Sequence, residues 1–109
     1  MLYMDKYLKM REDRKRAIIL VTNGYAKDNG AYNGCIYKDD QLYKSLGEIK
    51  NYFTGGLKLM RFNCAEFLAS EGYPEEYQIL HYCHVENREE KFNTLELWTI
   101  AQLRKNNNR

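Results

Sequence analysis

The chain carries little that would divide it, cross-link it or span a membrane. Its only proline is Pro74, so no proline-rich linker separates one part from another and no domain boundary is marked. The three cysteines, Cys35, Cys64 and Cys83, are an odd number without a CxxC pair. That pattern argues against a disulfide framework and fits reduced thiols. The longest purely apolar run is Ala17 to Val21, five residues, against the roughly 20 that a membrane-spanning helix requires. The opening residues MLYMDKYLKMREDRKR lack the apolar stretch of a secretory leader and include acids unsuited to a transit peptide, so a cytoplasmic location is expected. Charge of one sign is not in excess either. Seventeen basic residues against 15 acidic give a formal net charge of +2, which argues against a dense acidic DNA mimic and does not by itself specify nucleic-acid binding.

What is present is globular in composition. Hydrophobic residues make up 44% of the 109 and charged residues 29%, enough for one core in one domain spanning 1–109. Ten tyrosines dominate the aromatic set; each pairs a ring worth burying with a polar tip, which suits half-buried sheets and binding surfaces. Residues 2–16 read as a helix, with Tyr3, Met4, Tyr7 and Leu8 at helical spacing. RAIILVTNGYAK reads as a buried strand, KDNGAY as a turn at Asp28-Asn29-Gly30, and AYNGCIYK as a second strand, so 16–38 reads as a hairpin. In DDQLYKSLGEIKNYF the period changes. Leu42, Leu46, Ile49 and Phe53 fall on one helical face, with Asp40 as N-cap and Gly55-Gly56 as the stop. LKLMRF alternates as a short strand, and NCAEFLASEG reads as a short helix ending at Gly72 before Pro74. EYQILHYCHVEN reads as a strand and REEK as a turn. KFNTLELWTIAQL leans to a strand pairing with 77–86, although Leu97, Ile100, Ala101 and Arg104 also fit a helix face, and 104–109 reads as a frayed tail. The sum is an α+β domain: a mainly antiparallel sheet of about four or five strands with two or three helices packed on it.

Four features bear on chemistry. Cys64 would open the NCAEF helix, where free amides and the helix dipole stabilise a thiolate. Asn63 and Glu66 fit a capping box, which explains both without catalysis and leaves Cys64 as a packing residue. In HYCH, strand alternation puts His81 and Cys83 on one face and His84 on the other. A zinc site needs about four ligands in short spacings, and Cys35 and Cys64 could join only through tertiary placement, so no metal and no cofactor is expected. NGYAKDNGAYNG matches no phosphate-loop pattern; its Asn-Gly pairs read as turns. Finally, Lys9, Arg11, Arg14, Lys15 and Arg16 form a basic cluster that could neutralise phosphates, or simply be a solvated helix end. No helix-turn-helix spacing is visible.

Two resemblances follow from these residues. NCAEF is similar to the Asn-Cys-x-x-Phe stretch of the NlpC/P60 and lecithin-retinol acyltransferase thiol hydrolases, and implies Cys64 as nucleophile with His81 or His84 as base. YKDDQLYKSLGEIKNYF, with the Tyr, Asn and Lys richness and the KNNNR tail, resembles in style the small proteins of phages and conjugative elements, among them the anti-CRISPR inhibitors. That likeness implies a non-enzymatic inhibitor of a nucleic-acid-processing enzyme such as a Cas9-like RNA-guided nuclease. It would bind the nuclease, its guide RNA, or both. Because the charge is balanced, interference with guide-RNA loading is expected rather than DNA mimicry, with Lys9, Arg11, Arg14, Lys15 and Arg16 as the contact residues. The alternative is a small enzyme, either the thiol hydrolase or a ribonuclease toxin.

Overall fold

The computed structural model describes residues 18–25, 31–50, 56–86 and 91–106. Five strands, β1 (Ile18–Tyr25), β2 (Ala31–Lys38), β3 (Gln41–Lys50), β4 (Gln78–Glu86) and β5 (Lys91–Thr99), form one sheet in the order β3-β2-β1-β4-β5. Helix α1 (Gly56–Ser70) lies between β3 and β4 in the chain, and α2 (Ile100–Asn106) follows β5. Three neighbouring pairs are antiparallel; only β1 and β4 run parallel. The α+β expectation holds, and the sheet is mainly antiparallel as expected, with the one parallel pair at its centre. The 16–38 hairpin is present as β1 paired with β2, and the strand read over 77–86 is β4. The expected helix 2–16, the turn at Asp28-Asn29-Gly30 and most of REEK lie outside the described residues.

One core holds both helices to the same side of the sheet. Ile18 and Leu20 of β1, Ile36 of β2 and Ile79 of β4 meet Cys64, Ala65 and Leu68 of α1 and Ile100 and Leu103 of α2. Burying each such aliphatic side chain is worth about 1.5–3 kcal/mol. Gly56, Met60, Cys64 and Leu68 make the buried stripe of α1, one residue per turn. The helix comes close to the sheet because Gly34 has no side chain: a Cβ there would stand 2.3 Å from Met60 Sδ. On the opposite sheet face, Ile19 and its β4 partner Leu80 are buried too.

Three expectations are corrected. Residues 41–50 form a strand, not a helix. The β2–β3 ladder shifts register twice, so Leu46 and Tyr43 are extra residues in β3. Two bulges bring Tyr43, Leu46 and Ile49 to the helix side at a spacing of three, which imitates helical periodicity. Leu42, counted with the helical face, points away and is 59% exposed. Asp40 caps no helix: Asp39 and Asp40 have φ of 53° and 66°, the positive pair that a two-residue type I′ hairpin needs, and aspartate tolerates that region better than most side chains. Second, α1 begins at Gly56, so LKLMRF is helical rather than a strand and Cys64 sits in mid-helix. Asn63 is therefore no N-cap, and Glu66 accepts from Arg104 Nε at 2.7 Å instead of closing a capping box. Third, Asn23-Gly24 and Asn33-Gly34 lie within β1 and β2, where the two asparagines are cross-strand partners, and make no turn.

Two helix ends are built by local chemistry. Gly72, at φ 97°, is the left-handed residue after α1. Tyr73 N–H donates to Leu68 O at 3.1 Å and Gly72 N–H to Ala69 O at 3.1 Å, the paired bonds of a Schellman cap, with Pro74 beyond. At α2 the capping box is Thr99 with Gln102. Gln102 N–H donates to Thr99 Oγ1 at 3.1 Å, and Thr99 N–H to Gln102 Oε1 at 2.8 Å. The stretch that leaned to strand over 93–103 is thus strand through Thr99 and helix from Ile100 to Asn106, which takes in the first residues of the expected frayed tail.

Candidate functional site

Cys64 lies in the main core with no exposure. Burial pushes its thiol up to about 12, the reverse of what an attacking thiolate needs. In mid-helix its own turn's amides are already bonded, so the dipole and free amides expected at a helix start are not available to it. Cys83 belongs to a second cluster with Tyr32 and Met60. Burial raises its thiol as well, against the Thr22 and Thr94 hydroxyls beside it. All three cysteines are free.

The two histidines occupy opposite faces of β4, as alternation requires. His84 pairs with Asn93, its partner on β5, at 2.5 Å from Nδ1 to Oδ1. Asn93 Oδ1 also accepts from Tyr82 Oη at 3.2 Å. His81 is buried beneath α1, and both its ring nitrogens are engaged. Arg61 Nε donates to Nδ1 at 3.0 Å, and Nε2 lies 2.7 Å from Thr22 Oγ1. Since Arg61 can only donate, Nδ1 accepts, and the proton of the neutral ring sits on Nε2 and goes to Thr22. Burial, and then the Arg61 charge, lower the His81 pKa from 6.5 to about 3. A ring held neutral with both nitrogens bonded is a structural pin rather than a general base.

Arg61 joins this pin to β5. Its Nη2 lies 3.4 Å from Glu96 Oε1, its guanidinium carbon 5.1 Å from the Trp98 ring centroid, and Trp98 Nε1 donates to the same Glu96 oxygen at 3.1 Å. Glu96 is the β5 partner of His81, and Trp98 that of Ile79, so the sheet register places ring and carboxylate under the helix. Among the described residues no three His, Cys, Asp or Glu side chains gather as a metal cluster.

A second cluster lies at the surface, where the β2–β3 turn meets the end of α1. The Tyr43 and Phe67 rings meet edge-on at 5.2 Å, and Tyr73 and Tyr77 at 4.9 Å. Lys38 Nζ stands 5.8 Å from the Tyr43 centroid and 5.6 Å from that of Tyr73; Lys44 Nζ stands 5.4 Å from Phe67. Tyr43 Oη donates to Glu71 Oε1 at 3.0 Å. Burial and the Glu71 carboxylate push the Tyr43 phenol above its usual range, while the Tyr73 oxygen raises the Lys38 ammonium. Each member arrives by a local device: Lys38 by the aspartate turn, Tyr43 by a bulge, Tyr73 by the Schellman cap. Tyr77 stands at the far end of a loop tied to α2, whose Ile100 and Ala101 amides donate to Tyr77 O at 3.1 Å and Glu75 O at 2.9 Å.

Among the described contacts no hydrogen bond joins Cys64 to His81 or His84: Cys64 packs in the apolar core, both His81 nitrogens are taken by Arg61 and Thr22, and His84 lies on the opposite face of β4. The basic cluster Lys9, Arg11, Arg14, Lys15 and Arg16 lies outside the described residues. Arg61, Thr22, Glu96 and Trp98, and the surface set around Lys38, escaped the sequence reading. Of these, only the Tyr73/Tyr77 spacing around Pro74 carried a local signal. Comparison with protein-family models, with curated proteins and with solved structures finds no match for this chain. Among the described residues no helix is long and apolar enough to cross a membrane.

Proposed function

We propose that this protein is a non-enzymatic binding protein that inhibits a nucleic-acid-processing enzyme. Its most concrete form is an inhibitor of a Cas9-like RNA-guided nuclease that acts while guide RNA and nuclease assemble. The observation that carries the binding reading is the division of labour between interior and surface. The thiols of Cys64 and Cys83 and the imidazole of His81 are each shifted towards their neutral forms by burial. The half-exposed aromatics, meanwhile, gather with lysines into a patch of the residue types that anchor interfaces. The narrower reading draws on the balanced charge, which disfavours mimicry of DNA, and on the basic run Lys9 to Arg16.

Order of addition tests it. The protein is mixed with the nuclease before guide RNA, or with the preassembled complex, and DNA cleavage is followed. Strong inhibition only in the first order is the expected result; equal inhibition in both, or none, overturns the loading mechanism. Cleavage of labelled RNA by the protein alone, or a hydrolytic activity abolished by Cys64→Ala with the fold intact, would overturn the binding reading in favour of an enzyme.

A further inference from the structure

We infer that the aromatic cluster at the β2–β3 turn is a cation-receiving cage, and that the occupant it takes from a partner protein is a lysine or arginine side chain of a basic surface. The proposal rests on the reading of this protein as a binder and names the surface and the chemistry of its contact.

The cage already holds a cation of the right kind. The Lys38 ammonium lies within about 6 Å of two ring faces, the range in which the negative face of an aromatic ring attracts a cation, at 5.8 Å from Tyr43 and 5.6 Å from Tyr73. Tyr77 closes the side by its edge contact with Tyr73. The rings are held by the fold: Tyr43 is fixed by Phe67 and by its bond to Glu71, and Tyr73 by the backbone bonds of the α1 cap. Lys38, in contrast, is exposed at the end of a strand beside a two-residue turn, on a flexible stem held by the Tyr73 hydroxyl and, among the described residues, by no carboxylate. A receptor held by the fold, with an exposed occupant tied by a single hydroxyl bond, is one whose occupant can be exchanged.

The surroundings favour an incoming cation over an anion. Asp39 follows Lys38 directly, Glu71 borders Tyr43, Glu76 is exposed on the loop between Tyr73 and Tyr77 beside Glu75, which is paired with Arg104, and Lys44 on Phe67 is the one other cation of the cluster among the described residues. A phosphodiester chain would meet these carboxylates; a basic protein surface, such as the groove in which a nuclease holds its nucleic acid, would be matched by them. The partner's side chain would take the ring faces while Lys38 swings out.

The test uses the intact protein and small probes, so that it is independent of any nuclease. Ring-proton shifts of Tyr43, Tyr73 and Tyr77 are followed by NMR during titration with N-acetyl-lysine methylamide, with tetramethylammonium chloride, and with tert-butanol as an uncharged control. Lys38→Ala should bind both cations saturably and about two- to fivefold more tightly than the wild type, the worth of one exposed cation–π contact. Lys38→Ala combined with Tyr73→Leu should lose that binding while keeping the wild-type circular dichroism spectrum. Equal affinities in wild type and Lys38→Ala, or equal response to tert-butanol, would overturn the cage. Binding of tetramethylammonium without the blocked lysine would overturn the protein side chain as its occupant. A cage that binds in a protein that fails the order-of-addition assay refutes the loading mechanism and not the cage.

Discussion

Arg61 and Lys38 each set a cation against aromatic rings, and they are held in opposite ways. Arg61 projects from the middle of α1 into the sheet face, where it gives one bond to His81 Nδ1, one to Glu96 and its flat surface to Trp98. Its planar fork uses donors in fixed directions, and each acceptor is placed by strand register. Lys38 projects from the end of β2, rests on Tyr43 and Tyr73 by charge, ring contact and one bond to the Tyr73 hydroxyl, and stands in solvent. The same pairing of cation and ring therefore serves as a rivet in one place and as a removable cover in the other. Burial and bonded hydrogen count decide which.

The comparison breaks first at Arg61. Arg61→Ala leaves the buried Nδ1 of His81 without its donor and strips Trp98 and Glu96 of a shared partner. The expected loss is about 3 kcal/mol of folding free energy, from an orphaned buried acceptor and a charge-assisted bond. Arg61→Lys should recover less than half, because an ammonium cannot reach His81, Glu96 and Trp98 together. Urea unfolding measures it, and a loss below about 1 kcal/mol would place Arg61 in the same class as Lys38.

Acid attacks the same rivet from its other side. His81 has a folded pKa of about 3 against 6.5 when free, so the unfolded chain takes up the proton first. The stability tied to neutral His81 is whole above pH about 6.5 and is lost as pH falls from there towards 3. The slope approaches about 1.4 kcal/mol per pH unit, or roughly 2 kcal/mol by pH 5. Urea midpoints measured between pH 6.5 and 5, above the ordinary carboxylate range, should fall in the wild type and stay level in His81→Gln. A wild-type midpoint that stays level would mean that His81 is free to be protonated in the folded state.

The interior was the more legible half in fold, and neither site was legible as a unit. The β1–β2 hairpin and β4 showed in runs such as AIILV and YQILHYCH because a strand buried on both faces leaves an unbroken apolar signature. The β3 segment did not. Its bulges at Tyr43 and Leu46 convert a period of two into a spacing of three, which a periodicity argument reads as helix. The start of α1 failed for a related reason: Leu57 and Leu59 alternate like a strand, yet Leu59 is 42% exposed and the true stripe advances four residues at a time. Gly72 and Pro74 marked the end of α1 correctly because a C-terminal cap is written in adjacent residues. Arg61, His81 and Glu96 are spread over three elements, and only the β4–β5 register and the crossing of α1 unite them. Lys38, Tyr43 and Tyr73 are united the same way, by a turn, a bulge and a cap.

A milder change separates the cage from its support. The Tyr73–Tyr77 loop is fastened to α2 through the Tyr77 and Glu75 carbonyls, and Arg104 Nη1 adds a bond to Glu75 at 2.6 Å. Thr99→Ala removes the hydroxyl that caps α2 and should cost about 1 kcal/mol. Because the first turn of α2 receives the loop, the variant should also broaden the Tyr73 and Tyr77 ring signals while leaving those of Trp98 sharp. Uniform broadening across both sites would show that the two clusters do not move independently.

The smallest expected effect is the most telling. Lys38→Ala removes a cation lying on two rings, as Arg61→Ala removes one lying on Trp98. If ring contact alone set the energy, the two losses would be alike. Lys38 is exposed, and water solvates its ammonium wherever the side chain goes, so the net gain from the rings is small. Against that loss, the ordering of a long lysine stem is relieved. The urea midpoint of Lys38→Ala should therefore stay close to that of the wild type, even as the vacated rings take up an external cation more tightly. A loss approaching that of Arg61→Ala would make Lys38 a second rivet. It would then hold the hairpin end against α1 instead of covering a site, and the distinction between the two clusters would collapse.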